Sequence, residues 1–133
     1  MGNDVIKELG IKAKEAAKKA YSPYSKVCVG SAVLTDDGEI FTGANIENVS
    51  FGGTVCAERV AIFKAVSAGK RKIKKIYVYS KQGWPPCGIC RQVMSEFATD
   101  DLEVIIGDEK LNEKKIPFNN LLPNAFTPDK LDL

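Results

Sequence analysis

Apolar residues at Val5, Ile6, Leu9, Ala13, Ala16, Ala17 and Ala20 recur every three to four positions and predict an amphipathic helix over 5–20, capped by Asn3 or Asp4. Tyr21-Ser22-Pro23-Tyr24-Ser25 interrupts the stripe, and its proline disfavours helical geometry in the residue before it, so the chain turns. Residues 27–34 then read as a strand buried on both faces, Asp36-Asp37-Gly38 as a turn and 39–44 as the antiparallel partner. The run 45–54 is rich in turn formers and suits a loop that walls a binding site. Val60, Ile62, Phe63, Ala65 and Val66 predict a mostly buried helix over 55–68, stopped by Gly69.

Ile73, Ile76 and Val78 mark a strand over 73–80, followed by a short loop at 81–86, an amphipathic helix at 87–97 and a strand at 102–106. Beyond Gly107 the pattern weakens to a short edge strand at 115–118, a helical turn at 119–122 and a tail at 123–133. Strands separated by single helices imply parallel pairing in the second half, joined to the antiparallel hairpin of the first. The expected architecture is α/β: one domain over 1–133, with a mixed sheet and helices on both of its faces.

Composition narrows the chemistry more than the fold. Hydrophobic residues make up 44% and charged residues 27%, as in an ordinary globular protein. The N-terminal stretch is too polar for a secretory signal, and no apolar run approaches the roughly 18 residues of a membrane span. The expectation is a cytoplasmic protein with no membrane partner, whose four cysteines stay reduced and serve a metal or catalysis. The net charge of +2 gives no argument for a nucleic-acid partner, and the dense basic run Lys70, Arg71, Lys72, Lys74 and Lys75 reads as cations at a helix end and strand start. Histidine is absent, which removes imidazole ligands and His-dependent nucleophile pairs. Acid-base work near neutral pH falls to a carboxylate, a lysine, a cysteine or a metal-bound water.

Chemistry concentrates at Cys56-Ala57-Glu58-Arg59 and Pro86-Cys87-Gly88-Ile89-Cys90. The spacing of Cys87 and Cys90 lets both sulfurs reach one ion, although the same spacing serves redox dithiols. Cys56, also at a predicted helix start and two residues from Glu58, favours zinc on three thiolates with an open fourth position. Such a centre carries about one negative charge, which the positive ends of two helices stabilise. Arg59, one turn after Cys56, is placed to donate hydrogen bonds to the thiolates. Cys28 reads as a small buried strand thiol; as a fourth ligand it would make the site a purely structural zinc module.

Together with the preceding Asn45-Ile46-Glu47-Asn48, and with Arg91-Gln92 after Cys90, these motifs resemble the small homotetrameric cytidine deaminases, the likeness running over 21–126. The resemblance implies a three-layer α/β/α fold with a five-stranded mixed sheet, one zinc per chain on Cys56, Cys87 and Cys90, and Glu58 as proton shuttle in hydrolytic deamination of cytidine and deoxycytidine for pyrimidine salvage. It implies that Asn45 and Glu47 bind a ribose hydroxyl, that the Ala57 backbone meets the pyrimidine, and that Gln92 supports Arg59 behind the metal. It further implies a homotetramer with shared active sites, Phe126 matching an aromatic that reaches a neighbouring subunit's site. Two residues depart from the family pattern: Val27 replaces a phenylalanine that packs on the substrate, and Phe51 replaces a tyrosine. Two other deaminase readings stand beside this one. A blasticidin-type substrate is disfavoured by Asn45-Ile46-Glu47-Asn48 and Arg59. Polynucleotide editing through the run near Lys72 is disfavoured by the small net charge and the lack of an aromatic-basic track.

Overall fold

In the computed structural model, which describes residues 2–131 and side chains from Asp4 onward, the elements run α1 (Gly2–Ala17), β1 (Val29–Thr35), β2 (Ile40–Ala44), α2 (Ala57–Ser67), β3 (Ile73–Ser80), α3 (Gly88–Phe97), β4 (Ala98–Gly107), β5 (Glu113–Pro117) and α4 (Phe118–Leu121). Of the two candidate caps for the first helix, Asn3 lies outside the described side chains and Asp4 sits inside the first turn. No helix among the described residues is long and apolar enough to cross a membrane.

The five strands form one mixed sheet in the order β2-β1-β3-β4-β5. β1 is antiparallel to both β2 and β3, β3 and β4 are parallel, and β4 and β5 are antiparallel. Side chains alternate across the sheet, so successive residues join different cores. Ala32, Leu34, Tyr77 and Ile105 pack with Ile6, Leu9 and Ala13 of α1. Val33, Ile76, Val78, Val104 and Ile106 pack on the other face with Ala61, Ile62 and Ala65 of α2 and Met94 of α3. Leu9 and Ile62 are fully buried, and each side chain of this kind contributes about 1.5–3 kcal/mol. The result is three layers, helix, sheet and helix, as the fold class requires.

Two glycines allow the layers to close. A Cβ on Gly30 would lie 1.9 Å from the Ala13 carbonyl oxygen in α1, and one on Gly43 would lie 2.5 Å from the Ala61 nitrogen in α2. Only a residue without a side chain lets these strands meet helix backbone so closely.

Several boundaries differ from the expected ones: α1 covers 2–17 rather than 5–20, and α2 covers 57–67 rather than 55–68. β1 begins at Val29 rather than residue 27, because Lys26 adopts a left-handed φ of 65° and the chain before Val29 is bonded to loops instead of a ladder. β4 begins at Ala98, directly after α3, where its first residues are half-buried or exposed and carry no apolar pattern to read. β5 and α4 begin two residues and one residue earlier than expected.

The register brings several chain segments to one end of the sheet. Val29 pairs with Ser80 and Gly30 with Ala44. The start of β1, the ends of β2 and β3, and hence the residues leading to α2 and α3, share that end. An isolated bridge between Ile46 and Val55 ties the loop after β2 to the residue preceding Cys56.

Candidate active site

Cys56 and Cys87 occupy equivalent positions, as the extended residues that cap α2 and α3. Their carbonyls accept the first helical bonds, from the Val60 N–H at 3.1 Å and the Arg91 N–H at 3.0 Å. Neither sulfur bonds its own helix start, so both are free to face elsewhere. Cys90 follows one turn into α3 and is fully buried. The sulfurs of Cys56 and Cys87 are 3.8 Å apart, and those of Cys56, Cys87 and Cys90 all lie within 4.8 Å of one another. A disulfide requires about 2.05 Å, whereas two thiolates each about 2.3 Å from one tetrahedral zinc lie about 3.8 Å apart. Three soft sulfurs at this spacing fit zinc.

Cys28 is not part of the cluster. It is exposed, precedes β1 rather than lying within it, and places its sulfur 3.8 Å from the Ser22 hydroxyl. This corrects the expectation of a buried strand thiol and removes the four-cysteine reading.

The cluster is electrically organised before any substrate arrives. The Cys56 thiol is lowered to about 5, chiefly because Cys90 donates to its thiolate, with help from Arg59 and Cys87 against the cost of burial. Cys90, as that donor and as a buried group, is raised. A divalent ion displaces such shared protons, since only thiolates ligate it. Arg59 donates from Nη2 to Cys56 Sγ at 3.6 Å and to the Thr54 carbonyl at 3.4 Å, while its buried Nε has no partner among the described residues. Glu58 is 4% exposed. Burial pushes its carboxyl up to about 7, its own backbone N–H opposing and the Cys56 charge adding to the rise. A carboxyl near neutrality can both take and return a proton. Ala57, between Cys56 and Glu58, contributes one of the backbone N–H groups that a helix start leaves without an intrahelical partner.

A second group of residues lies on the adjoining loops. Asn45 is 8% exposed, and its amide is bonded on both sides: Oδ1 accepts from the Val29 N–H and Nδ2 donates to the Val27 carbonyl, each at 2.9 Å. Val27 is half-buried. Glu47 Oε1 accepts from the backbone N–H groups of Tyr24 at 3.0 Å and Ser25 at 3.1 Å, and Oε2 accepts from the Ser25 hydroxyl. Phe51 is exposed and meets the Tyr24 ring edge-on, with centroids 5.8 Å apart.

Gln92 does not bond Arg59. Its amide donates to the Ser95 hydroxyl at 3.2 Å and to the Phe126 carbonyl at 2.8 Å, so it anchors the tail that carries the exposed Phe126 ring. Two residues without an expected role help to shape the site. Arg91 donates to the Pro86 carbonyl at 2.9 Å and the Leu121 carbonyl at 3.0 Å, fixing the residue before Cys87. Ser25 was readable only as part of a turn, where a serine bonding the N–H two residues on is a familiar signal.

The basic run is largely engaged. Lys70 pairs with Asp37 and Glu39, Lys75 pairs with Glu103, and Arg71 donates to the Val66 carbonyl at the end of α2.

Residues 5–106 match the family described as the cytidine and deoxycytidylate deaminase zinc-binding region. The chain is 46% identical over 122 residues to the cytidine deaminase of Halalkalibacterium halodurans, covering 90% of this chain and 92% of that one. To the cytidine deaminase of Sporosarcina psychrophila it is 42% identical over 128 residues, covering 95% and 94%. Among solved structures, the cytidine deaminase of Burkholderia pseudomallei superposes with a TM-score of 0.86 at 42% identity, over 90% of this chain and 98% of that chain.

Proposed function

The chain belongs to the cytidine and deoxycytidylate deaminase family, and from that premise we propose that its residues 1–133 work as one catalytic domain whose site is divided between a thiol cluster and a nucleoside wall. The enzyme hydrolyses cytidine and deoxycytidine to uridine and deoxyuridine, consuming one water and releasing one ammonia. The observation that carries this reading is three convergent thiols with the buried Glu58 carboxyl two residues from the first of them.

Cys56, Cys87 and Cys90 hold one zinc per chain, which when bound supplies the Lewis acidity that makes a water nucleophilic near neutral pH. Arg59 tempers the thiolate charge by its bond to Cys56. Glu58 takes a proton from the attacking water on its carboxylate oxygen and returns protons to the ring nitrogen and the departing amine. The Ala57 backbone N–H meets the pyrimidine, and the half-buried Val27 supplies an apolar wall without stacking. Asn45 and Glu47 bond the sugar hydroxyls, which selects nucleosides over free bases. The protein acts in the cytoplasm as a homotetramer. Gln92, through the Phe126 carbonyl, steadies a ring that completes a neighbouring subunit's site.

Ammonia release from cytidine and deoxycytidine, with zinc measured on the same sample, tests the reading. Glu58→Gln retains zinc and lowers kcat by roughly two to four powers of ten. A fully active Glu58→Gln removes Glu58 from its role, and a zinc-loaded wild type inert toward both nucleosides overturns the substrate class.

A further inference from the structure

One exposed hydroxyl joins two residues of the proposed nucleoside wall. Ser25 Oγ donates to Glu47 Oε2 and accepts from the Val27 backbone N–H at 3.1 Å. The intervening Lys26 is held at a φ of 65°, with its own N–H bonded to the Ser22 carbonyl at 2.9 Å. That conformation is unusual for a residue with a side chain. Here it is closed over by the Ser25 to Val27 bond.

A carboxylate offers about four acceptor sites. In Glu47 two on Oε1 are taken by the Tyr24 and Ser25 N–H groups and one on Oε2 by the Ser25 hydroxyl. One position on Oε2 is left, and the Ser25 hydroxyl sets which way it faces. The same bonds hold the Glu47 carboxyl below its ordinary value, the Ser25 hydroxyl foremost, so it is an ionised acceptor at neutral pH. Because Ser25 is exposed and Glu47 only half-buried, their bond adds little to the stability of the fold, and its effect falls on the direction of the carboxylate.

We infer that Ser25 is a positioning residue that aims the free oxygen of Glu47 at a sugar hydroxyl of the nucleoside and fixes the Val27 wall in register with it. The inference rests on the proposed role of Glu47 as sugar acceptor. Ser25 itself touches neither the base nor the reacting atoms, so its loss weakens recognition of the sugar rather than the chemistry at the ring.

The test compares kcat/KM for cytidine with that for 2′,3′-dideoxycytidine, which lacks both ring hydroxyls, in the zinc-loaded full chain. Removing a hydrogen bond to a charged group is worth roughly tenfold. Ser25→Ala therefore shrinks the preference for cytidine roughly tenfold, with the change carried by KM. Ser25→Thr, which keeps the hydroxyl, restores the preference. Ser25→Cys, with a weaker donor, shows a smaller shrinkage and stands in if the alanine variant does not fold. If Ser25→Ala slows both nucleosides equally while Glu47→Gln collapses the preference, the positioning role is overturned and the reading of Glu47 survives. If Glu47→Gln leaves the preference intact, the reading of Glu47 itself fails and the inference falls with it.

Discussion

The thiol cluster hangs on two helix starts, whereas the wall around Asn45 and Glu47 is tied out of irregular backbone by side-chain bonds. At Cys56 and Cys87 the backbone is satisfied by the helices that follow, so both sulfurs are free for an ion. At Asn45 and Glu47 the side chains themselves satisfy the backbone of Tyr24, Ser25, Val27 and Val29 before any ligand is met. Substitutions in the first region therefore remove a ligand from a standing scaffold. In the second they alter the contact and the scaffold together.

The largest effect expected from this contrast is at Cys87. Cys87→Ser leaves two sulfurs of the three, and bound zinc falls from one per chain toward zero, with ammonia release reduced to background. The helix survives because serine is a preferred cap, so far-UV circular dichroism should be retained. A variant that loses its zinc and its secondary structure together would show that the metal, not the helices, holds this region in place.

That contrast also decides what the sequence could disclose. The helix starts at Cys56 and Cys87 were readable from local pattern, as were β3 and the stop at Gly69, whose φ of 93° matches its role. Each depends on residues within a turn or two of itself. The wall depends on bonds between residues far apart in the chain, Glu47 to Ser25 and Asn45 to Val29, and no periodicity records them. Family resemblance pointed to Asn45 and Glu47, but not to the clasps they form. Val27 and Cys28 read as strand residues for the same reason: their apolar character matches a strand, but the left-handed Lys26 and the Asn45 clasp fix them outside it. The bond from Gln92 to the Phe126 carbonyl leaves no trace in local pattern because the two residues lie 34 positions apart.

A smaller effect is expected at Asn45. Asn45→Ala removes the acceptor of the Val29 N–H and the donor to the Val27 carbonyl in a nearly buried setting. Unmade buried bonds of this type cost about 1–3 kcal/mol, so the melting temperature falls and KM for cytidine rises roughly tenfold, with zinc per chain unchanged. Asn45→Asp keeps the acceptor and loses the donor, and should fall between. Loss of zinc in either variant would break the separation of the two regions.

The smallest effect lies at the far end of the sheet and acts as a control. Asp37, in the β1–β2 turn, is clasped much as Glu47 is: it accepts from the Thr35 hydroxyl and pairs with Lys70 at 2.6 Å. These partners, Lys70 foremost, lower its carboxyl from 3.8 to about 2. A carboxyl depressed in the folded state stabilises the fold above its unfolded value and loses that contribution as pH falls through the folded one. The melting temperature of the wild type should therefore exceed that of Asp37→Asn by a few degrees at most near neutrality, since exposed pairs are weak. The excess should shrink as pH drops from 3.8 to about 2. Zinc content and KM should be the same in both proteins at every pH where they are folded. A change in KM would mean that turn clasps act along the whole sheet, and the effect at Ser25 would then need no local aim at the sugar.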